Sequence, residues 1–226
     1  MALEGELYRR ARRIFVGSQF VRNSLITDYG IEPEKAVATG FGAGLLHSDR
    51  YSKSFDGRTL LFIGKGDFEK KGGLVLLEAF GLVRREIPDA ILHVVGPPSV
   101  PEVPGIVSHG FVADRGVLRD LLRAAHVFVL PSLVDRNPLT LIEAMAAGTP
   151  CVASDYAAMP EIIEGAGLVV PRGDVEGVAR ALLTLLRDGA LARGLGEHGR
   201  RRFEELFNWD KVWSVMLGEI RSTLNA

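Results

Sequence analysis

Three short stretches of this chain combine residue types that do chemistry together. The first is Gly64-Lys65-Gly66-Asp67-Phe68-Glu69-Lys70-Lys71-Gly72-Gly73. Its glycines allow close backbone approach, and its lysines carry positive charge. A helix opening behind it turns N–H groups toward an anion. That combination suits a diphosphate, although the same residues also read as a solvated lysine turn. The second is Pro131-Ser132-Leu133-Val134-Asp135-Arg136-Asn137-Pro138, running into Leu139-Thr140-Leu141-Ile142-Glu143-Ala144-Met145-Ala146-Ala147-Gly148. Asn137 is suited to cap a helix, Pro138 to open it and Gly148 to stop it. The helix is almost wholly apolar, so it should be buried, yet it carries Glu143. A buried carboxylate is costly unless it is hydrogen-bonded or paired. Two carboxylates, Asp135 and Glu143, beside an anion-attracting helix end suit a ligand with both hydroxyls and phosphates. The other reading pairs Glu143 structurally with a Lys or Arg. The third stretch is His109-Gly110-Phe111-Val112, where a glycine and backbone groups can face a planar base. A loop glycine beside an apolar residue is otherwise ordinary.

Other chemistries find less support. Gly64-Lys65-Gly66 imitates the start of a dinucleotide fingerprint, but Glu69 stands where the third glycine belongs. The following strand ends Gly96-Pro97-Pro98, with no acid for a ribose, and there is no Walker loop. His47, His93, His126 and His198 lack ligand-like spacing, and His93 and His126 read as core or edge residues. Cys151 opens a strand and reads as inert packing. The Arg200-Arg201-Arg202 run reads as a solvated helix face.

These stretches need a frame. Short apolar runs at 60–63, 91–95, 127–130, 151–153 and 168–170 alternate with helical patterns, and Ile106-Val107 is a weaker sixth run. Helices are expected over 73–87, 115–125, 138–147, 157–164 and 174–188. Leu74, Leu77, Ala79 and Phe80 mark one apolar face, and Val178, Leu182, Leu185 and Leu186 another. Such alternation means a parallel sheet covered on both faces, hence a doubly wound α/β domain. Ligands then sit beyond the carboxyl ends of the strands, where strand order reverses. Two flanks stand outside the alternation. The first is a helix at 3–13, a strand at 14–16, a helix at 19–29 ended by Gly30 and a strand at 37–39. The other is a terminal amphipathic helix carrying Trp209, Trp213, Met216, Leu217 and Ile220. A stripe with two tryptophans is large for one helix and suits a partner surface.

The 226 residues, 47% hydrophobic and 24% charged, exclude a disordered chain. A net charge of −1 leaves no nucleic-acid footprint. The single cysteine excludes an internal disulfide and a cysteine-clustered metal site, and fits a reducing compartment. No apolar run approaches the roughly 18 residues of a membrane span. Residues 1–20 carry four arginines but no apolar signal-peptide core, so a cytoplasmic protein is expected.

The motifs together resemble the "group one" glycosyltransferases with the GT-B fold. Pro131-Ser132, Asp135, Asn137-Pro138 and Glu143-Ala144-Met145-Ala146-Ala147-Gly148-Thr149-Pro150 look like that family's nucleotide-sugar signature. Phe68 to Gly73 resembles its lysine-glycine loop, and Gly165 to Asp174 its last-strand motif. The resemblance covers almost all of residues 14–220. It implies transfer of a sugar from a nucleotide diphosphate sugar, with retention at the anomeric carbon and with no metal and no cofactor.

By the same resemblance, Asp135 and Glu143 are the catalytic-site acids. Glu143 holds the ribose hydroxyls and Asp135 touches donor-sugar hydroxyls. Lys71 pairs with the diphosphate, and Gly64, Lys65, Gly110, Phe111, Asn137, Leu139 and Thr140 complete the donor site. There are departures. Asp135 is one methylene shorter than the usual Glu, Lys65 stands for an arginine fork, and Pro138 has no N–H to give a phosphate. The implied organisation is the tail of an N-terminal acceptor domain with its linker (1–46), a donor-binding domain (47–205) and a crossover helix (206–226). That is one half of a GT-B fold, a doubly wound Rossmann-like sheet, expected to turn over poorly alone. Expected partners are a nucleotide sugar, the missing N-terminal domain or a separate acceptor-domain chain, a peripheral membrane contact of the parent enzyme, and a second copy through exposed apolar surface. The alternatives are a non-catalytic nucleotide-sugar-binding module, a sugar-nucleotide epimerase and a nicotinamide dehydrogenase, the last weakened by the missing third glycine and ribose acid.

Overall fold

The computed structural model describes residues 2–42, 53–64, 66–96, 100 and 103–225. The central strands are β3 (Thr59–Ile63), β4 (Ile91–Val95), β5 (Ile106–Gly110), β6 (Val127–Leu130), β7 (Cys151–Ser154) and β8 (Gly167–Val170). All are parallel, in the order β5-β4-β3-β6-β7-β8. This is the expected doubly wound sheet, and the order reverses between β3 and β6. Leu60, Leu61 and Phe62 of β3 and all four residues of β6 are buried, because helices cover both faces of the middle of the sheet. β5, at the edge, keeps Val107 and Ser108 exposed.

The covering helices are α3 (Gly73–Glu86), α4 (Arg115–Ala124), α5 (Leu139–Ala146), α6 (Met159–Ile162), α7 (Val175–Arg187) and α8 (Gly189–Arg202). On α3 the buried face is Leu76, Ala79, Phe80 and Val83. Leu74, expected on that face, is half exposed, because the helix is turned by one position. Val178, Leu182 and Leu185 of α7 are buried as expected. Each fully buried side chain of this size contributes roughly 1.5–3 kcal/mol. α8 seats tightly on the end of α5. A Cβ on Gly196 would lie 2.3 Å from the Gly148 carbonyl oxygen, so only glycine permits that approach. The run after it is less solvated than expected. Arg202 donates to the carbonyls of Ile162 (3.1 Å) and Glu161 (2.7 Å).

The N-terminal flank forms α1 (Ala2–Arg10), α2 (Gln19–Tyr29) and a two-stranded parallel sheet of β1 (Ile14–Val16) and β2 (Ala36–Ala38). Ser18 caps α2, which ends at Gly30 in the left-handed region. Leu25, Ile31 and Ala36 make its small core. The Glu161 carboxylate joins this flank to the large sheet by accepting the N–H groups of Gln19 (2.7 Å) and Phe20 (3.1 Å). The last helix, α9 (Trp209–Leu224), returns to it through Arg13 and Glu219, 3.2 Å apart. Val212 is buried there, whereas Trp209 and Trp213 are each about half exposed.

One glycine decides how the sheet's carboxyl edge closes. Gly72 has φ 77°, and a Cβ on it would sit 2.0 Å from the Pro131 carbonyl oxygen. Gly72→Ala therefore combines a left-handed alanine with a backbone clash. It is expected to cost at least about 2 kcal/mol, or at least about 4 °C of Tm for a chain of this size. Gly81→Ala, on α3 with open space around it, is the control and should leave Tm unchanged or higher. Calorimetric melting of both variants checks this.

Candidate active site

The reversal between β3 and β6 brings two loops together. One follows β3 and ends at Gly72, the other follows β6 and ends at Pro138. They are tied by backbone bonds. Leu133 and Val134 both donate to the Lys70 carbonyl (2.8 and 3.0 Å), and the Ser132 hydroxyl reaches the Lys71 carbonyl at 3.4 Å. With Gly72 against Pro131, the loops form one surface.

On that surface Lys71 Nζ forms an ion pair with Asp135 Oδ2. The other carboxylate oxygen, Oδ1, accepts the Asn137 N–H at 3.3 Å. Asp135 is thus held from both sides, and only 9% of its side chain is exposed. This turn shifts the helix start. Pro138, not Asn137, occupies the capping position, and α5 begins at Leu139 with no side-chain cap. The expected Asn137 cap is therefore absent, because its N–H is spent on Asp135 and its side chain turns elsewhere. Among the described residues, Asn137 Oδ1 is buried with no hydrogen-bond partner. The N–H groups of Leu139 and Thr140 likewise have no protein acceptor among the described residues, while Leu141 bonds back to Pro138.

Glu143 lies one turn further along α5. Among the described residues no group hydrogen-bonds its carboxylate, so the Lys or Arg partner of the alternative reading is not in contact. Burial pushes its carboxyl up to about 7, and the charge of Arg115 partly opposes that shift. Arg115, the first residue of α4, was read in the sequence only as the start of a helix, and nothing there placed its charge near Glu143.

The remaining site residues line the carboxyl edge of β3, β4 and β5. The Gly64 N–H bonds the Val95 carbonyl, and the Gly96 N–H bonds the Gly110 carbonyl, both at 2.8 Å. Gly110 is left-handed (φ 59°) and turns the chain outward, leaving Phe111 64% exposed. Lys65 lies outside the described residues. Just below this edge, His93 Nδ1 and His109 Nε2 are 2.8 Å apart with stacked rings. That pairing was hidden in the sequence. Burial, then the charge of His109, lowers the pKa of His93. Cys151 is fully buried, and burial pushes its thiol pKa up, which agrees with inert packing. Among the described residues no cluster of three or more metal-ligating side chains occurs, and no helix is long and apolar enough to cross a membrane.

A lysine-glycine loop and a helix end carrying two acids thus meet at the switch point of a doubly wound sheet, the place where such folds take their ligands. The sequence model of the glycosyl transferases group 1 matches residues 57–188, and the chain belongs to that family. A phosphatidyl-myo-inositol mannosyltransferase of Mycolicibacterium smegmatis is 33% identical over 175 residues, covering 73% of this chain and 44% of that protein. An MMP alpha-(1->4)-mannosyltransferase of Mycolicibacterium hassiacum is 29% identical over 231 residues, covering 93% and 54%. The chain thus spans about half the length of these relatives. Among solved structures, the sucrose-phosphate synthase of Thermosynechococcus elongatus superposes with TM-score 0.75 at 25% identity, covering 99% of this chain and 61% of that one. Anabaena HepE in complex with UDP superposes with TM-score 0.83 at 17% identity, covering 98% and 67%. The fold is one half of the GT-B architecture of these neighbours.

The unpaired carboxylate of Glu143 makes stability depend on pH. Its folded pKa, about 7, lies above its reference value of 4.5, so ionisation penalises the folded state. The penalty is absent below the lower value and complete above the higher one. Glu143→Gln should therefore be the more stable protein at pH 8, by on the order of 2–3 kcal/mol, and match the parent near pH 4. Urea unfolding at both pH values measures the difference.

Proposed function

We propose that this chain is the donor-binding part of a retaining hexosyltransferase that takes its sugar from a nucleotide diphosphate sugar. The observation that carries the reading is the meeting of Lys71, Asp135 and the N–H groups of Leu139 and Thr140, unbonded among the described residues, at the switch point. Lys71 and those N–H groups take the diphosphate oxygens. They neutralise the charge that grows there as the bond to the sugar breaks. Pro138 offers no N–H, so the helix end contributes from Leu139 onward. Asp135 and Asn137 Oδ1 face the sugar hydroxyls, and Glu143 accepts the ribose hydroxyls. Gly64 and Lys65 flank the phosphates, while Gly110 and Phe111 receive the base. No metal or cofactor takes part. The acceptor side comes from a second Rossmann-like domain, on the same chain or another, and the reaction needs both walls of the cleft to position the two substrates. The mannosyltransferase relatives favour a hexose donor, and the UDP held by HepE, a protein of the same fold, favours a nucleotide ligand.

Calorimetric titration with UDP, GDP and ADP and their hexose conjugates tests the reading. One conjugate should bind, and Glu143→Ala should weaken it about tenfold or more, the loss of more than one hydrogen bond to a charged group. Binding should also weaken as pH falls from 8 to 6, because the ionised Glu143 is the better acceptor and is lost through about 7. Nucleotide sugars have no phosphate titrating in that range. No binding by any of them, or an affinity indifferent to Glu143→Ala, would sink the proposal.

A further inference from the structure

We infer that Asp135 is a built-in counter-ion for Lys71 that a diphosphate must displace, and that this exchange makes the site favour an intact nucleotide sugar over the nucleoside diphosphate left after transfer. The inference rests on the donor-site reading above and concerns how that site chooses its ligand.

Four observations lead to it. Lys71 is not a free cation, since its ammonium is already paired with Asp135. The pair does not drift apart on its own, because the loops carrying it are locked through Lys70, Leu133, Val134 and the Gly72–Pro131 contact. The Asp135 carboxylate is nearly buried and has both oxygens engaged, one by Lys71 and one by the Asn137 N–H. Beside it, Asn137 presents a buried oxygen with no donor among the described residues.

An entering diphosphate therefore meets two opposite demands. It is drawn by Lys71 and by the N–H groups of Leu139 and Thr140. It is repelled by Asp135, a fixed negative charge on the same surface. When it takes Lys71, it leaves Asp135 short of one donor in a nearly dry place, which is costly. A nucleoside diphosphate brings no donor to replace the ammonium, and its terminal phosphate adds negative charge. A nucleotide sugar carries less charge and brings hydroxyl groups. One can donate to Asp135 Oδ2 and another to Asn137 Oδ1. This end of the cleft consists of acceptors, which is what a polyol requires. The sugar thus compensates for the broken ion pair, and its departure lets Asp135 reclaim Lys71 and loosen the product.

The short aspartate suits this role. Its carboxylate stays within reach of its own turn, through the Asn137 N–H, while still meeting Lys71. That is why its one missing methylene, a departure from the family pattern, fits the site.

Titration calorimetry at pH 8 and low salt tests the inference on the chain as it stands. The probes are inorganic pyrophosphate, UDP, GDP, ADP, UDP-glucose, GDP-mannose and ADP-glucose, applied to the parent and to Asp135→Asn. Removing the competing charge should tighten nucleoside diphosphate and pyrophosphate binding about tenfold, and shrink the preference for the conjugate over the diphosphate by a similar factor. Binding by the Asn variant where the parent shows none supports the inference equally. A nucleoside diphosphate affinity that is unchanged or weaker in the variant overturns it and leaves the donor site standing. Binding of no probe by either protein overturns the donor-site reading and the inference with it. Circular-dichroism melting verifies that the variant is folded, and Asp135→Ser, which also removes the charge, repeats the comparison should the Asn variant melt early.

Discussion

The approach of Gly72 to the Pro131 carbonyl is the contact on which the candidate site depends. Strand order reverses between β3 and β6, so the loops leaving these two strands diverge into helices on opposite sides of the sheet. They remain in contact because one residue in the first loop has no side chain and tolerates a left-handed backbone. From that seat follow the bonds of Leu133 and Val134 to Lys70, and then the position of Lys71 in front of Asp135. A pair of opposite charges so far apart in sequence would otherwise have to find one another by side-chain flexibility alone, at the entropic cost that makes most exposed pairs weak. Here the backbone makes the approach, and little is left for the side chains to lose.

The electrostatics of α5 follow a different logic. The helix is almost entirely apolar and is clamped between the sheet and α8, whose glycines allow it to lie close. Placing Glu143 there takes its carboxylate largely out of water and gives it no hydrogen-bond partner among the described residues. The Arg115 charge eases this only in part. The protein therefore stores a cost at the spot where hydroxyl donors are expected to arrive. Sites commonly hold such unrelieved groups because a ligand can relieve them, whereas a core would replace them with an apolar side chain.

The sheet was legible in the sequence because its strands are short, continuous apolar runs between glycines and prolines. Even the weak run at Ile106-Val107 became β5, and its weakness reflects its place at the edge, where fewer apolar residues are needed. Boundaries were less legible. The α5 start was displaced by one residue, since Asn137 looked like a cap and nothing local announced that Asp135 would claim its N–H. The α3 face was misjudged at Leu74 because the helix packs through Leu76, Phe80 and Val83 instead. Motif residues could be named from their types and from the family resemblance, but their partners could not. Lys71 with Asp135, Arg115 near Glu143, and His93 against His109 all join different loops or strands, and a one-dimensional pattern carries no signal for such pairs. The inward turn of Arg202 toward Glu161 and Ile162 was concealed the same way inside an arginine run.

Cys151 gives this molecule a clock. It is the only thiol in the chain, and it sits fully buried on β7, between two other strands of the sheet. Burial also keeps it protonated, hence unreactive toward thiol reagents. A reagent in solution can reach it only when the sheet itself opens. The rate at which the native protein is labelled at this single sulfur therefore reports openings of the core, free of contributions from the loops, the flanking helices or the terminal tryptophans.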